Sequence, residues 1–281
     1  MNTFEIGRSP QSVVPVRLLA ALVLLCAFVF TSRGQDRDSL VRPSLFVSSP
    51  DLSGPFDVGI RFEIGPEWYL YWINPGDAGL PVGVKWELPE GWTAGPLRFP
   101  TPEKIVKGGV TAFGYHNELV LLCQITPNQG SHPHPTIRAA LDWLVCRESC
   151  LPGRAQLALD LSPDRLGSAV LEKAQLMEYT ARFPQAIGSR AVSVGALEVE
   201  PTGATMLATI RIVGADSLRI TDFYPEPIDG FTLDLSGIQV LDDRISVRLT
   251  PEASSSVLRT LRGLAIIQDR GYQLEAFVAT E

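Results

Sequence analysis

Hydrophobic and polar residues alternate along much of this chain, which is the pattern of strands with one buried face. The clearest case runs from Phe56 to Phe62, where the apolar residues are separated by aspartate, glycine and arginine. Clusters of Asn, Pro, Gly and Asp follow several such segments and predict turns. Strands are predicted over residues 56–62, 68–73, 82–88, 119–125, 137–145 and 155–161. Short strands with turns between them are typical of an antiparallel β-sandwich.

The hydrophobic period changes near residue 162. Ser162 and Pro163 form a typical N-cap and first-turn pair, and apolar residues then recur at a spacing of three to four. This predicts a helix over 163–181, which the Phe-Pro pair at 183–184 ends. Strands are predicted again afterwards, over 204–213, 217–220, 231–235, 239–249, 264–269 and 273–279.

The N-terminus is typical of a secretory signal peptide. Basic residues precede an unbroken apolar run from Leu18 to Phe30, which is shorter than the roughly 20 residues needed to span a bilayer. Ser32 and Gly34 supply the small residues that signal peptidase requires. We expect export to an oxidising compartment, where disulfides persist. An uncleaved N-terminal anchor is the alternative.

The expected organisation is therefore an all-β chain of two tandem β-sandwich domains joined by a short helix. Its parts are a signal peptide at 1–34, a first sandwich at 35–162, a helical linker at 163–182 and a second sandwich at 183–281.

Composition narrows the class of protein. The chain has 281 residues, of which 45% are hydrophobic and 20% charged, as in a globular protein. Its net charge of −7 argues against a nucleic-acid partner, which would require a basic face. The sequence carries no Ser-His-Asp set, phosphate-binding glycine loop or placed carboxylate pair. We therefore predict no cofactor and no small-molecule substrate.

Cys146 and Cys150 lie four residues apart, between a predicted strand and a Pro-Gly turn. A disulfide that closes so short a loop removes little entropy from the unfolded chain, so it stabilises the fold weakly. A short loop also tends to make the bond more reducible. The spacing favours a redox pair. A structural disulfide and a metal site stay open as alternatives.

The other candidate ligands are sparse. Cys123 shares one strand face with apolar neighbours, which predicts a buried residue of ordinary packing; a resolving or intermolecular thiol is the alternative. His116, His132 and His134 are the only histidines. His132 and His134 form a His-x-His pair, but the sequence has no second His pair at the spacing of metal ligands. We predict solvated histidines and no metal site.

Five blocks of sequence resemble, in order, the N-terminal periplasmic domain of the thiol:disulfide interchange protein DsbD, and more closely its ScsB-type relatives. The blocks are EWYLYW at 67–72, NPGDAGLP at 74–81, WELPEG at 86–91, FGY at 113–115 and WLVCRESCLPG at 143–153. The resemblance covers about residues 40–162, and no comparable motif marks the rest of the chain.

This resemblance implies an immunoglobulin-like fold, a periplasmic location and a link to cytochrome c biogenesis. It implies that Cys146 and Cys150 are the catalytic redox pair, with Cys150 as the attacking thiol. A membrane-embedded or thioredoxin-like electron donor would reduce the pair, and the pair would reduce a periplasmic disulfide-containing client. The chain would then act as a thiol-disulfide oxidoreductase of the protein-disulfide reductase type.

The resemblance also implies the surroundings of the pair. Tyr69 and Tyr71 would line the site. Phe113 and Tyr115, within a loop over 109–116, would form an aromatic cap that limits access by stray thiols.

A hypothesis from another class is a non-enzymatic, immunoglobulin-like binding or assembly module whose disulfide is only structural. Copper handling through the thiols is a weaker option, because the chain has only three Met.

Overall fold

The computed structural model describes residues 40–128, 135–190, 192–214 and 219–279. The predicted signal peptide and the histidines at 132 and 134 lie outside the described residues. The described residues belong to one compact unit. Among them, no helix is both long and apolar enough to cross a membrane.

The first part of the chain forms two facing antiparallel sheets. Its strands are β1 (Val41–Val47), β2 (Phe56–Ile64), β3 (Tyr69–Gly76), β4 (Gly83–Glu87), β5 (Thr93–Arg98), β6 (Glu103–Lys107), β7 (Val110–His116), β8 (Glu118–Thr126), β9 (Thr136–Cys146) and β10 (Cys150–Asp160). One sheet has the order β1-β2-β8-β5. The other, called the cysteine sheet below, has the order β10-β9-β3-β7-β6, and β4 also pairs with β9.

The alternation predicted from the sequence accounts for this packing. The apolar residues of β2 are buried, and the polar residues between them are partly exposed. Their buried face meets the cysteine sheet, where the Phe62 and Trp143 rings lie edge to face with centroids 5.7 Å apart. Such a pair contributes about 0.5–1.5 kcal/mol beyond the burial of its area. The period-two pattern therefore defines the core of the first sandwich.

The linker contains two short helices rather than one. They are α1 (Pro163–Ala169) and α2 (Lys173–Thr180). The predicted continuous helix over 163–181 is wrong at Val170, which is extended and forms a bridge with Val47 of β1. The backbone N–H of Leu171 also donates to the Val47 carbonyl at 3.0 Å. These tertiary contacts replace the helical hydrogen bonds at the break.

The second part of the chain is a second pair of β-sheets. After the short strand β11 (Gln185–Ala186) and a 3₁₀ turn at Ile187–Arg190, the strands are β12 (Ser193–Thr202), β13 (Thr205–Val213), β14 (Ile220–Pro225), β15 (Phe231–Leu241), β16 (Arg244–Pro251), β17 (Thr260–Ile267) and β18 (Arg270–Phe277). The sheets have the orders β11-β18-β17-β14 and β12-β13-β16-β15. The described part of the chain is therefore nearly all β, as predicted.

The two sandwiches share buried side chains. Tyr224 of β14 and Leu264 and Ile266 of β17 belong to the same apolar cluster as Phe113 and Tyr115 of the cysteine sheet. A separate cluster fills the interior of the second sandwich. The predicted domain boundaries stay predictions, and the shared cluster is the feature that links the two parts of the chain.

Candidate functional site

Strand pairing brings the two candidate cysteines together. Cys146 ends β9, Cys150 begins β10, and the two are direct partners in the antiparallel register. They form a disulfide with a Cα–Cα distance of 4.1 Å. The three residues between them make a tight turn, in which the Arg147 N–H donates to the Ser149 carbonyl at 3.2 Å. The disulfide thus closes the end of a β-hairpin.

The disulfide lies on the outer face of the cysteine sheet. Trp143 and Val145 of β9 face the core, so Cys146 faces outward by the two-residue period of a strand. Tyr69 is its register partner on β3. The small cluster around the sulfur, called the disulfide cluster, comprises Tyr69, Tyr71, Ile105, Ala112, Leu144 and Cys146. These residues come from four strands, and they are separate from the main core.

Tyr71 is the polar contact of the pair. Its hydroxyl lies 3.6 Å from Sγ of Cys150. A disulfide sulfur carries no hydrogen, so the tyrosine is the donor. Burial, together with hydrogen bonding to Tyr69, raises the pKa of Tyr71 well above its ordinary value, which keeps this hydroxyl protonated at neutral pH. The site therefore holds a fixed O–H donor beside one sulfur.

Two neighbours fix the Tyr71 ring in place. The Tyr69 ring stands edge to face against it, with centroids 5.2 Å apart. Gly79 approaches so closely from the loop after β3 that a Cβ there would overlap the ring. Gly79 also has a φ of +118°, which favours glycine. The loop therefore needs glycine at this position for two reasons.

The two sulfur-bearing residues differ in accessibility. Cys146 is only 2% exposed, whereas Cys150 is exposed. Thiol-disulfide exchange requires a thiolate to approach one sulfur while the other leaves. The arrangement accordingly offers Cys150 to a partner and keeps Cys146 as the internal sulfur.

Charged groups hold the turn between the cysteines. The Arg147 guanidinium lies over the Trp68 ring, 5.5 Å from its centroid, and its Nη1 is 3.1 Å from Glu67 Oε2. From the β6–β7 hairpin, Lys107 Nζ donates to the Arg147 carbonyl at 3.2 Å. The positive charge of Arg147 is thereby paired with Glu67.

Phe113 and Tyr115 lie elsewhere. Their segment is strand β7, and both side chains point into the core. Phe113 packs against Trp72, and the Tyr115 hydroxyl donates to the Pro100 carbonyl at 2.7 Å. Ala112 is the β7 residue that faces the disulfide. The predicted aromatic cap does not fit this placement, because a strand sends alternate residues to opposite faces.

The remaining candidates lie apart from the pair. Cys123 is free and buried, and it donates to the Gly95 carbonyl at 3.3 Å; burial raises the pKa of its thiol. The His116 Nδ1 lies 2.8 Å from Glu103 Oε2, and its ring is tilted against the Tyr69 ring with centroids 5.5 Å apart. In the described part of the chain, no three His, Cys, Asp or Glu side chains converge as metal ligands. The Cys146–Cys150 pair is the candidate site.

Comparison with known proteins identifies the first sandwich. Residues 37–162 match the family model of the thiol:disulfide interchange protein DsbD, N-terminal. This part of the chain is therefore a DsbD-type N-terminal domain, and the resemblance found in the sequence is confirmed. No curated protein matches the chain.

Solved structures extend the comparison to the second sandwich. The chain is similar to the N-terminal periplasmic domain of ScsB from Proteus mirabilis, with a TM-score of 0.61 and 16% identity over 86% of this chain and 93% of that one. At this identity the similarity establishes the fold, and it confirms the predicted pair of immunoglobulin-like sandwiches.

Weaker similarities are to two structures from Neisseria meningitidis. The reduced DsbD n-terminal domain gives a TM-score of 0.32 and 18% identity, over 46% of this chain and 90% of that one. The complex between the DsbD N-terminal and PilB N-terminal domains gives 0.28 and 16%, over 42% and 81%.

Proposed function

We propose that this chain is a periplasmic thiol:disulfide interchange module that passes electrons through Cys146 and Cys150 to partner proteins. The observation that carries the proposal is the disulfide itself: within a DsbD-type domain, its exposed residue, Cys150, meets a fixed hydroxyl donor, while Cys146 is buried. A disulfide that served only as a staple would need neither an exposed cysteine residue nor a hydroxyl donor beside its sulfur. The periplasmic location follows from the family and agrees with the signal peptide predicted from the sequence.

The reducing half of the cycle begins with a dithiol donor. Its thiolate attacks Sγ of Cys150, the Cys146–Cys150 bond breaks, and Cys146 leaves as a thiolate that takes up a proton. The second thiol of the donor then attacks the mixed disulfide and releases Cys150. Two electrons and two protons have moved from the donor, which becomes a disulfide, to the pair.

The second half passes the electrons to a client. The Cys150 thiolate attacks a client disulfide, and one client sulfur leaves and is protonated. The Cys146 thiolate then attacks Sγ of Cys150, which restores the intramolecular disulfide and releases the client as a dithiol. Bond making and breaking balance, and no cofactor enters the cycle.

Tyr71 assists the steps in which Cys150 carries charge. Hydrogen bonds to ionised groups are shorter and about twice as strong as neutral ones. The Tyr71 hydroxyl therefore stabilises the Cys150 thiolate more than it stabilises the disulfide sulfur. This increases the fraction of reactive thiolate at neutral pH and also makes Cys150 a better leaving group.

Exposed apolar side chains on the strands and the loop that surround the disulfide cluster offer a surface for partner proteins. Ile73 follows Tyr71 by two residues and is 38% exposed, Leu80 adjoins Gly79 and is 64% exposed, and Val110 precedes Ala112 by two and is 45% exposed. Such a surface suits the apolar rim of a donor or client active site. We propose that the donor is a membrane-embedded or thioredoxin-like protein and that the client is a periplasmic protein with a disulfide.

Single-thiol variants test the proposal. In residues 35–281, which lack Cys26 of the predicted signal peptide, and with Cys123→Ala, the Cys146→Ala variant keeps only Cys150, and the Cys150→Ala variant keeps only Cys146. We expect the Cys146→Ala chain to form a mixed disulfide with oxidised thioredoxin or with a chromogenic aromatic disulfide. The Cys150→Ala chain should react much more slowly, because its thiol is buried. If neither variant reacts while folded, the disulfide is structural and the chain is a binding or assembly module.

A further inference from the structure

The edge strand of the second sandwich, β14 (Ile220–Pro225), contacts the cysteine sheet, and Leu264 and Ile266 of the neighbouring strand β17 pack in the same apolar cluster. Three residues of β14 meet three adjacent strands of that sheet in order. Asp222 Oδ2 lies 2.8 Å from Lys104 Nζ of β6. The Tyr224 ring packs on Phe113 of β7, with centroids 4.7 Å apart. The third contact is the Pro225 carbonyl, which reaches β3.

Asn74 makes the contact on β3 and is itself buried, with 5% exposure. Its Nδ2 donates to the Pro225 carbonyl at 2.8 Å, and its Oδ1 accepts from the Gly76 N–H at 3.0 Å. Asn74 stands inside the irregular stretch of β3, where the pairing with β7 shifts between Tyr71 and Gly76. One side chain thus ties this stretch to the second sandwich.

The same three strands carry the disulfide cluster on their opposite face. Next to Lys104 on β6 is Ile105, and next to Phe113 on β7 is Ala112; β3 supplies Tyr71. Adjacent strand residues point to opposite faces, so every strand held by β14 on one side supplies a neighbour of Cys146 on the other. Protein interiors are close-packed, so a shift of these strands would be transmitted through the sheet.

We propose that β14 positions the disulfide cluster from the opposite face of the cysteine sheet. Asn74 and Tyr224 are the positioning residues, and they set the placement of the Tyr71 hydroxyl against Cys150. The inference rests on the proposed function and extends it, since it gives the second sandwich a part in the exchange chemistry. Asn74 fixes the course of β3 just beyond Tyr71, and Tyr224 supports β7 through Phe113.

A double-mutant cycle tests this proposal in the chain without the predicted signal peptide, residues 35–281, which also lacks Cys26. The background is Cys123→Ala with Cys146→Ala, so that Cys150 is the single thiol. The test variants are Asn74→Ala and Tyr224→Leu, each made with Tyr71 and with Tyr71→Phe. The readout is the pH–rate profile of reaction with a chromogenic aromatic disulfide, which reports the thiolate fraction of Cys150.

Two matched controls separate positioning from general stability. Tyr224→Phe keeps the ring on Phe113 and removes only the hydroxyl. Phe231→Leu shortens a buried aromatic residue in the core cluster of the second sandwich, outside the shared cluster. Both should leave the profile unchanged. Each variant is compared at temperatures where its unfolding curve shows the chain to be folded.

With Tyr71 present, we expect Asn74→Ala and Tyr224→Leu to lower the reaction rate at pH 7 by at least about twofold, a usual size for coupling through a packed network. With Tyr71→Phe, the same substitutions should have no further effect, because residues that act through one group are not additive. The proposal is overturned if the folded variants match the parent, or if their effect persists without the Tyr71 hydroxyl. A separate measurement tests the proposed function: if the Cys146–Cys150 disulfide stays oxidised in mild reductant, the proposed function is wrong.

Discussion

The Tyr71 hydroxyl lies 3.6 Å from Sγ of Cys150 and is the one side-chain hydrogen-bond contact to the pair seen among the described residues. It joins the outer face of β3 to the first residue of β10. The buried ring cannot turn toward solvent, since Tyr69 and Gly79 enclose it. The sulfur therefore meets a preorganised donor when it becomes a thiolate.

Removing this hydroxyl should weaken the nucleophile. A hydrogen bond to a charged group contributes about 1.5–3 kcal/mol, and 1.36 kcal/mol corresponds to one unit of pH. In the single-thiol chain, Tyr71→Phe should move the midpoint of the Cys150 pH–rate profile upward by about one to two pH units. The rate should fall at pH 7 and recover at high pH, where the thiol is ionised in both proteins.

Tyr115→Phe is the matched control for this change. It removes a tyrosine hydroxyl from the same sheet, but from the core face, where that hydroxyl bonds the Pro100 carbonyl. Its pH–rate profile should equal that of the parent. Equal profiles for the parent and for Tyr71→Phe would show that the hydroxyl does not act on Cys150.

Gly79→Ala should act on the same contact through the ring. The new Cβ would overlap Tyr71, and the positive φ disfavours alanine, so the free energy of unfolding should fall by at least about 1 kcal/mol. The pH–rate midpoint should also rise, as in Tyr71→Phe. Gly108→Ala is the control, because Gly108 has a φ of +61° but open space around its Cα. Gly108→Ala should lower the free energy of unfolding without changing the pH–rate profile. If Gly79→Ala gives the same profile as Gly108→Ala, Gly79 does not act on the contact between Tyr71 and Cys150.

Cys123 should be silent in the redox chemistry. Its burial and raised pKa keep it a protonated thiol at pH 7–8. Thiol counting on the reduced, folded chain of residues 35–281, which lacks Cys26, should find two fast thiols, and a third only after unfolding. Cys123→Ala should cost about 1 kcal/mol of stability and leave the potential of the pair unchanged. A third fast thiol in the folded chain would contradict this placement.

Alkaline pH should destabilise the fold through Tyr224. Burial, with Asp222 and Asp269 nearby, raises the pKa of this residue to about 12. The unfolded chain ionises near its ordinary value of 10.0, so this stabilisation is complete below pH 10 and is lost as pH rises toward 12. The slope is about 1.4 kcal/mol per pH unit for one proton. Tyr224→Phe should reduce the slope of the unfolding free energy over this interval. Parallel curves for the two proteins would show that Tyr224 does not contribute.

Local patterns predicted the β-rich fold and the location of the pair well. Alternation predicted that Cys146 ends a strand, and the family resemblance of the block at 67–72 implied that Tyr69 and Tyr71 line the site. A local pattern does not fix strand register, however. Phe113 was expected in a loop over the disulfide, but β7 is paired on both edges, so the residue facing the sulfur is Ala112.

The sequence also did not predict one turn and two long-range contacts. A single strand predicted over 239–249 crosses the turn between β15 and β16, where Asp242 has a φ of +53°. Apolar residues on both sides continued the alternation and concealed this turn. The break at Val170 depends on β1, and the Asn74–Pro225 bond joins residues far apart in the chain. Contacts at such separation have no periodic signal in the sequence.

The redox potential of the Cys146–Cys150 pair tests the central claim most directly. The Cys123→Ala chain is equilibrated in glutathione and dithiothreitol buffers, and its free thiols are counted after acid quenching. A relay should give a potential between about −180 and −270 mV, the range of known exchange proteins. A value below about −300 mV, typical of structural disulfides, would contradict the relay and leave the chain as a tandem β-sandwich binding module.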